Sequence, residues 1–85
     1  MSMVRELIAA VSAAERNIDG QLMKLHSYQK ANDDLMKQIV EELDGSTHSS
    51  SLNMRTQLNQ TKSQIATTIS LLEQAKVKLQ RVRMI

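Results

Sequence analysis

Acidic side chains are the residues of this sequence whose type and spacing come closest to catalytic chemistry. Asp33 and Asp34 are adjacent, and a second acidic group comprises Glu41, Glu42 and Asp44. Paired carboxylates can act as general acid and base when a pocket separates their pKa values. On amphipathic helices without a pocket, such residues more simply form a solvated face. Because the sequence has no nucleophile–base pair and no phosphate-cradling glycine loop, we predict that the protein is not an enzyme.

Histidine and cysteine usage gives no support to a metal site. The two histidines, His26 and His48, are far apart, and neither has a second His, Asp or Glu at ligand spacing. The absence of cysteine excludes a disulfide framework, thiol chemistry and a cysteine-based zinc site. We therefore expect surface histidines, no metal and no cofactor.

The last ten residues carry a basic cluster that could contact phosphate groups. Lys76, Lys78, Arg81 and Arg83 alternate there with aliphatic residues, and no aromatic side chain is present for base stacking. A formal net charge of +2 is also mild for a nucleic-acid-binding protein. We interpret the cluster as a solvated helix end that complements the helix dipole. A small nucleic-acid-binding or regulatory protein stays as the alternative.

A seven-residue repeat of core positions predicts the elements that carry these residues. The repeat occupies, in the first half, Val4, Val11, Ile18, Leu25, Asn32 and Ile39, and in the second half, Leu58, Ile65, Leu72 and Leu79. Pairing 39 with 58, 32 with 65, 25 with 72 and 18 with 79 gives a constant sum, as two antiparallel helices require. The fold class is therefore all-α: an antiparallel two-helix hairpin resembling a coiled coil.

Capping and turn residues give the expected boundaries of the two helices. Helix one should run from about 2 to 44, with Ser2 as N-cap and Gly45 taking the left-handed conformation after its end. The loop should cover about 45–50, and helix two about 51–83, with Ser50 or Ser51 as its cap. Residues 1–85 then form a single domain without proline. Gly20 interrupts helix one and marks either a tolerated surface position or a bend.

Apolar residues flank the core row on both sides. The expected second core position contains, in helix one, Leu7, Ala14, Tyr28 and Leu35, and in helix two, Met54, Thr61, Thr68, Ala75 and Val82. One step further round lie Ile8, Leu22, Met36 and Leu43, with Ile69 on helix two. A face this wide exceeds a single seam. We expect a second chain, identical or different, to complete a four-helix bundle.

The pairing arithmetic also predicts an overhang at the start of helix one. The partner of Val11 would be residue 86, past the last residue of the chain. Unpartnered apolar strips of this kind mark interfaces. The predicted partner interface consists of Met3, Val4, Leu7, Ile8, Val11, Leu22, Met36 and Ile69.

Polar residues near the seam make further expectations about its register. Asn32 occupies a core-row position and is either a device that fixes register and partner choice or a seam-edge residue bonded to water, Gln60 or Gln64. The same register places Glu42 opposite Arg55 and Asp19 opposite Lys78. Such exposed pairs contribute about 0.2–1 kcal/mol each, so they tune orientation without driving folding.

The region from Leu35 to Val82, with Glu42-Leu43-Asp44-Gly45-Ser46 and the Leu58/Ile65/Leu72/Leu79 ladder, resembles the small helical hairpins of type VII (ESX) secretion. These include WXG-type proteins and the helical partners of LXG toxins. Asp44-Gly45-Ser46 stands where that family has Trp-x-Gly, and the one tyrosine, Tyr28, is too early for a C-terminal Tyr-x-x-x-Asp/Glu export signal. The resemblance implies an accessory or LXG-associated partner that pairs into a four-helix bundle, with chaperone or targeting roles.

A second resemblance, to type III secretion needle subunits, implies a filament subunit, although this chain lacks the proline of their turn. No apolar run is long enough for a membrane span. Glu6 and the short run Leu7–Val11 argue against a signal peptide. We expect a cytoplasmic protein, or one exported without a cleaved signal peptide.

Overall fold

The protein folds into two long helices that pack side by side in opposite directions. The computed structural model describes residues 2–42 and 49–84, and the side-chain surroundings of the second helix from residue 52 onward. Helix α1 spans Ser2–Glu42 and helix α2 spans Ser49–Arg83. The predicted all-α hairpin is confirmed. The expected end of helix one at 44, the loop at 45–50 and the Ser50 or Ser51 cap concern residues or side chains outside the described ones.

Helix α2 begins at Ser49, two residues before the start expected from the sequence. Residues 49–51 are three consecutive serines. Serine is a favoured N-cap residue because its hydroxyl can accept a bond from a free helix N–H group. Because residues 49–51 are all serine, the sequence alone does not indicate at which of them the helix begins.

The interior of the hairpin is a single seam whose positions alternate in spacing between four and three residues. On α1 the buried and half-buried seam positions are Val11, Glu15, Ile18, Leu22, Leu25, Gln29, Asn32, Met36 and Ile39. On α2 they are Leu58, Ile65, Ile69, Leu72, Lys76 and Leu79. The core row predicted from the seven-residue repeat is therefore confirmed from Val11 to Ile39 and from Leu58 to Leu79.

The second row of the seam lies mainly on the opposite flank from the one expected, although Ala14 and Ala75 of the expected row are half-buried. Ile69 is 8% exposed, whereas Tyr28 is 60% exposed and Leu35 and Met54 are also exposed. The helices are rotated so that the flank containing Leu22, Met36 and Ile69 faces inward. Long basic side chains at Lys62, Lys76 and Arg83 follow the same flank of α2 and can lay their aliphatic stems along it.

The predicted overhang is shorter than expected, and the placement of Val11 in it is wrong. Val11 is 5% exposed and belongs to the core of the hairpin. The side chains of Val4, Leu7 and Ile8 line a groove together with Val82 and Arg83 from the end of α2. The three ion pairs between the helices place their pairing within about two residues of the one expected from the sequence arithmetic.

Four of the predicted interface residues thus pack within the hairpin. Val11 and Ile69 are buried, and Leu22 and Met36 are half-buried along the same seam. A partner could not reach the two buried side chains without separating the helices, so their assignment to an exposed interface is wrong. The other four, Met3, Val4, Leu7 and Ile8, are exposed.

Gly20 lies in the interior of α1 and faces open space. A Cβ atom added there would meet nothing within 4 Å. We predict that Gly20→Ala raises the free energy of unfolding by about 1 kcal/mol, because alanine loses less backbone entropy in a helix. Urea denaturation followed by circular dichroism measures the change. Ala13→Gly, one heptad earlier on the same exposed face, should lower stability by a similar amount, and an unchanged midpoint for Gly20→Ala would contradict the prediction.

Ile69 tests which flank of α2 is inside. We predict that Ile69→Ala lowers the free energy of unfolding by about 2 kcal/mol, because it removes buried methylene groups and leaves a cavity. Leu71→Ala is the matched control, since Leu71 is 60% exposed on the same helix. Equal losses in the two variants would indicate that the flank of Ile69 is not buried.

Candidate interaction surface

Three ion pairs join the two helices along one side of the seam. Their N–O distances are 2.6 Å for Lys76 with Asp19, 3.3 Å for Arg83 with Glu15, and 3.8 Å for Lys62 with Asp33. The three cations are spaced by fourteen and seven residues, so they lie in one row along α2. We call this flank, with its acidic partners on α1, the ion-paired side.

The ion pairs differ from those expected from the sequence. Asp19 pairs with Lys76 and not with Lys78, and among the residues that the structure describes no ion pair joins Glu42 to Arg55. Two residues of helix correspond to a rotation of roughly 200°, so Lys78 points to the other side of the seam when Lys76 is at its edge. The predicted Asp19–Lys78 and Glu42–Arg55 pairs are therefore wrong.

The contact between Lys76 and Asp19 is the best formed of the three. The Lys76 Nζ atom donates a hydrogen bond to Asp19 Oδ1 at 2.6 Å. This hydrogen bond, together with the attraction of the Asp19 charge, raises the pKa of Lys76 above its ordinary value of 10.5. The sequence contains the spacing of the basic row, but it does not show which acid each cation reaches.

Glu15 is a carboxylate in the interior of the seam. The residue is 8% exposed, and its Oε1 atom lies 3.3 Å from Nη1 of Arg83 without the geometry of a hydrogen bond. Sequence analysis missed this position because Glu15 occupies a seam site that is otherwise mostly apolar. The arginine at the end of α2 supplies the opposite charge that a buried carboxylate needs.

Asn32 is a second polar residue in the seam. It is 9% exposed, and its Nδ2 atom donates a hydrogen bond to the backbone carbonyl of Leu58 at 3.0 Å. Its partner is therefore the backbone of α2 and not the Gln60 or Gln64 side chain considered from the sequence. The hydrogen bond joins Asn32 of α1 to the backbone of α2 at Leu58. Its role as a register device stays a prediction.

The other side of the seam is bordered by rows that contain no charged residue. Two rows border it, formed on α1 by Leu7, Ala14, Gln21, Tyr28 and Leu35, and on α2 by Met54, Thr61, Thr68, Ala75 and Val82. We call these ten residues the uncharged face. They are the second core row expected from the sequence, and their large apolar members are left exposed.

The two rows of the uncharged face lie on the same side of the hairpin. Gln21, Tyr28 and Thr68 line one open groove together with Lys24, and Leu7 and Val82 line another together with Arg83. The Thr68 hydroxyl donates to the backbone carbonyl of Gln64 at 2.9 Å, so its hydrogen-bonding capacity is used within α2. A grooved surface with exposed apolar side chains is suited to packing against another helix.

The remaining chemical groups do not assemble into a site. In residues 2–42 and 49–84, no three His, Cys, Asp or Glu side chains come together in a way that could hold a metal ion. His26 Nδ1 lies 3.4 Å from the Gln29 side chain on the surface. Two of the four cations at the end of α2, Lys76 and Arg83, are already paired with acids of α1. This pairing reduces the charge available to a phosphate backbone.

The described helices contain no stretch long and apolar enough to cross a membrane. Comparisons of the chain with protein-family models, with curated proteins and with solved structures found no significant match. The fold and the chemistry of its two sides are therefore the basis for a functional proposal.

The raised pKa of Lys76 predicts how the Asp19–Lys76 pair depends on pH. Because the folded-state pKa lies above the unfolded value of 10.5, the stabilisation is complete below that value and is lost as pH rises through the raised pKa. We expect the stability difference between wild type and Lys76→Gln to be constant near neutral pH and to vanish at strongly alkaline pH. Urea denaturation over this range measures it. Lys30→Gln, at an exposed position of α1, is the control, and a pH-independent difference would contradict the assignment.

Proposed function

We propose that this protein is a non-enzymatic helical interaction module that completes a four-helix bundle by association. The proposal rests on the chemical difference between the two sides of the hairpin. Three ion pairs close one side, whereas the uncharged face leaves five large apolar side chains exposed. These five are Leu7, Tyr28, Leu35, Met54 and Val82.

The energetics of burial favour association. Only Val11, Ile39 and Ile69 are buried apolar residues of the described hairpin, so it has little core of its own. Burying one large aliphatic or aromatic side chain contributes about 1.5–3 kcal/mol. Further burial of the apolar side chains that the uncharged face leaves exposed would therefore add several kcal/mol to the stability of an assembly. Helices from a partner would bury these side chains and extend the packing of the seam to a second side.

The biological setting that we propose is a type VII secretion system, with the protein acting as a partner, targeting factor or chaperone-like component. The support is the resemblance of the hairpin and its Leu58/Ile65/Leu72/Leu79 ladder to the small helical proteins of those systems. A module of this kind would need no catalytic residue, metal or cofactor. Its activity would be to present one apolar face in a fixed register.

The proposal is tested by the double variant Leu7→Asp/Leu35→Asp on the uncharged face. Two charges in the buried centre of a bundle should raise the dissociation constant for its helical partner by about a hundredfold or more. Sedimentation or light scattering measures the loss for the protein alone and when co-produced with helical-hairpin proteins encoded beside its gene. Met23→Asp is the matched control, because Met23 is an exposed residue of α1 outside this face.

The outcomes separate the molecular proposal from its setting. Association that is lost in the double variant and kept in the control supports an interaction module. Association that is unaffected by the double variant contradicts the proposed surface. The secretion role requires, in addition, that a strain lacking the protein fails to export a type VII substrate that the parent strain exports. Normal export would contradict the setting and leave the interaction module standing.

A further inference from the structure

We propose that the partner on the uncharged face is a second copy of this chain, related to the first by a two-fold axis parallel to the long axis of the hairpin. The inference rests on the proposed function and names its partner. In this arrangement α1 of one copy packs against α2 of the other, and the turns of both hairpins lie at the same end of the bundle.

The first argument is the area left exposed. The hairpin has an accessible surface of 6701 Å², whereas a compact monomer of its mass would expose about 5,100 Å². The difference is about 1,600 Å², twice the roughly 800 Å² per partner that a standard stable interface buries. A second hairpin of the same length can cover a face that extends along the whole 67 Å of the molecule.

The second argument is the order of large and small residues on the face. Tyr28 and Thr68 lie at one height, since they line the same groove. The ion pair between Asp33 and Lys62 places Leu35 at about the level of Thr61. At both levels α1 therefore presents a large side chain and α2 presents a small one.

Towards the chain termini, α2 carries the larger side chain and α1 the smaller one. The ion pair between Glu15 and Arg83 places Ala14 at about the level of Val82, where α2 carries the larger residue. A two-fold axis along the hairpin sets Tyr28, Leu35 and Val82 of one copy over the smaller residues at the same levels of the other. Tyr28 then packs on Thr68 of the second copy, and Val82 on its Ala14. The surface is complementary to itself, as a two-fold interface requires.

The third argument is the placement of the lysines that border the face. Lys24 borders the row of α1, and Lys78 borders the row of α2. With the axis along the hairpin, Lys24 of one copy lies at about the height of Leu71 of the second copy. Lys78 lies at about the height of Asn17 of the second copy. An axis perpendicular to the hairpin through the middle of α1 would instead bring the two Lys24 side chains within about one helical turn of each other. Like charges at that separation disfavour the perpendicular arrangement.

The Thr68 hydroxyl keeps its hydrogen-bond partner when it is buried at this interface. Its Oγ1 atom already donates within α2 to the carbonyl of Gln64. The methyl group is then available for contact with the ring of Tyr28. A tyrosine ring over a small residue is the kind of packed centre that contributes most to interface stability.

The test measures the mass of the full chain by light scattering over a wide concentration range, with circular dichroism to confirm helicity. We expect a stable mass of two chains for the wild type. Tyr28→Glu should raise the dissociation constant by about a hundredfold or more. Met23→Glu, at an exposed position of α1 outside the face, should leave it unchanged.

The axis is tested with single cysteines, because the natural sequence has none. Chains carrying Tyr28→Cys are mixed with chains carrying Thr68→Cys, distinguished by mass, and oxidised. The proposed axis predicts disulfides between the two kinds of chain in preference to disulfides between like chains. Preferential bonding of Tyr28→Cys to Gln21→Cys chains would support the perpendicular axis and overturn the proposed one.

Failure of this inference is distinguishable from failure of the proposed function. A helical chain with the mass of one copy at every concentration would overturn the second copy as partner. If another helical protein then binds and Leu7→Asp/Leu35→Asp abolishes that binding, the interaction module stands with a different partner. A dimer unaffected by Tyr28→Glu would overturn the uncharged face as the dimer interface.

Discussion

A hairpin of two helices has one seam, and each helix can turn only one flank of its apolar stripe into it. In this protein the stripe is wider than the seam, so burial of one flank leaves the other in solvent. The row of Lys62, Lys76 and Arg83 accompanies the buried flank of α2, and each cation reaches an acid on α1. Exposed ion pairs contribute about 0.2–1 kcal/mol each. That is too little to drive folding, so the ion pairs accompany the buried flank and do not create it.

The choice of buried flank determines the character of both surfaces. The ion-paired side carries all three salt bridges of the described residues, and the uncharged face carries apolar residues between threonines and alanines. The radius of gyration is 19.2 Å, compared with about 12 Å for a compact domain of this length. An elongated hairpin with one apolar side is the half-bundle that our functional proposal requires, because its second layer must come from outside the pair of helices.

We expect the polar residues within the seam to oppose sliding of one helix along the other. Asn32 bonds to the backbone of α2, and Glu15 lies buried beside Arg83. A shift of one helix by a turn would move both groups away from their partners and leave polar atoms buried without compensation. An aliphatic seam would tolerate such a shift with little loss. A fixed register matters for a protein that presents a patterned face, because sliding would displace Tyr28 and Leu35 relative to Thr68 and Thr61.

The sequence by itself determined the helices, their antiparallel pairing and the main core row, since a seven-residue repeat specifies which strip of a helix is apolar whatever it packs against. It could not determine the flank. Leu7, Tyr28 and Leu35 on one side and Leu22 and Met36 on the other are similarly apolar, and the two choices differ by about one residue of rotation. Only the tertiary structure decided between them, and with them the partner of Asp19 and the burial of Val11. Those outcomes depend on how far a lysine or arginine on α2 reaches across the seam, which is settled only when both helices are in place.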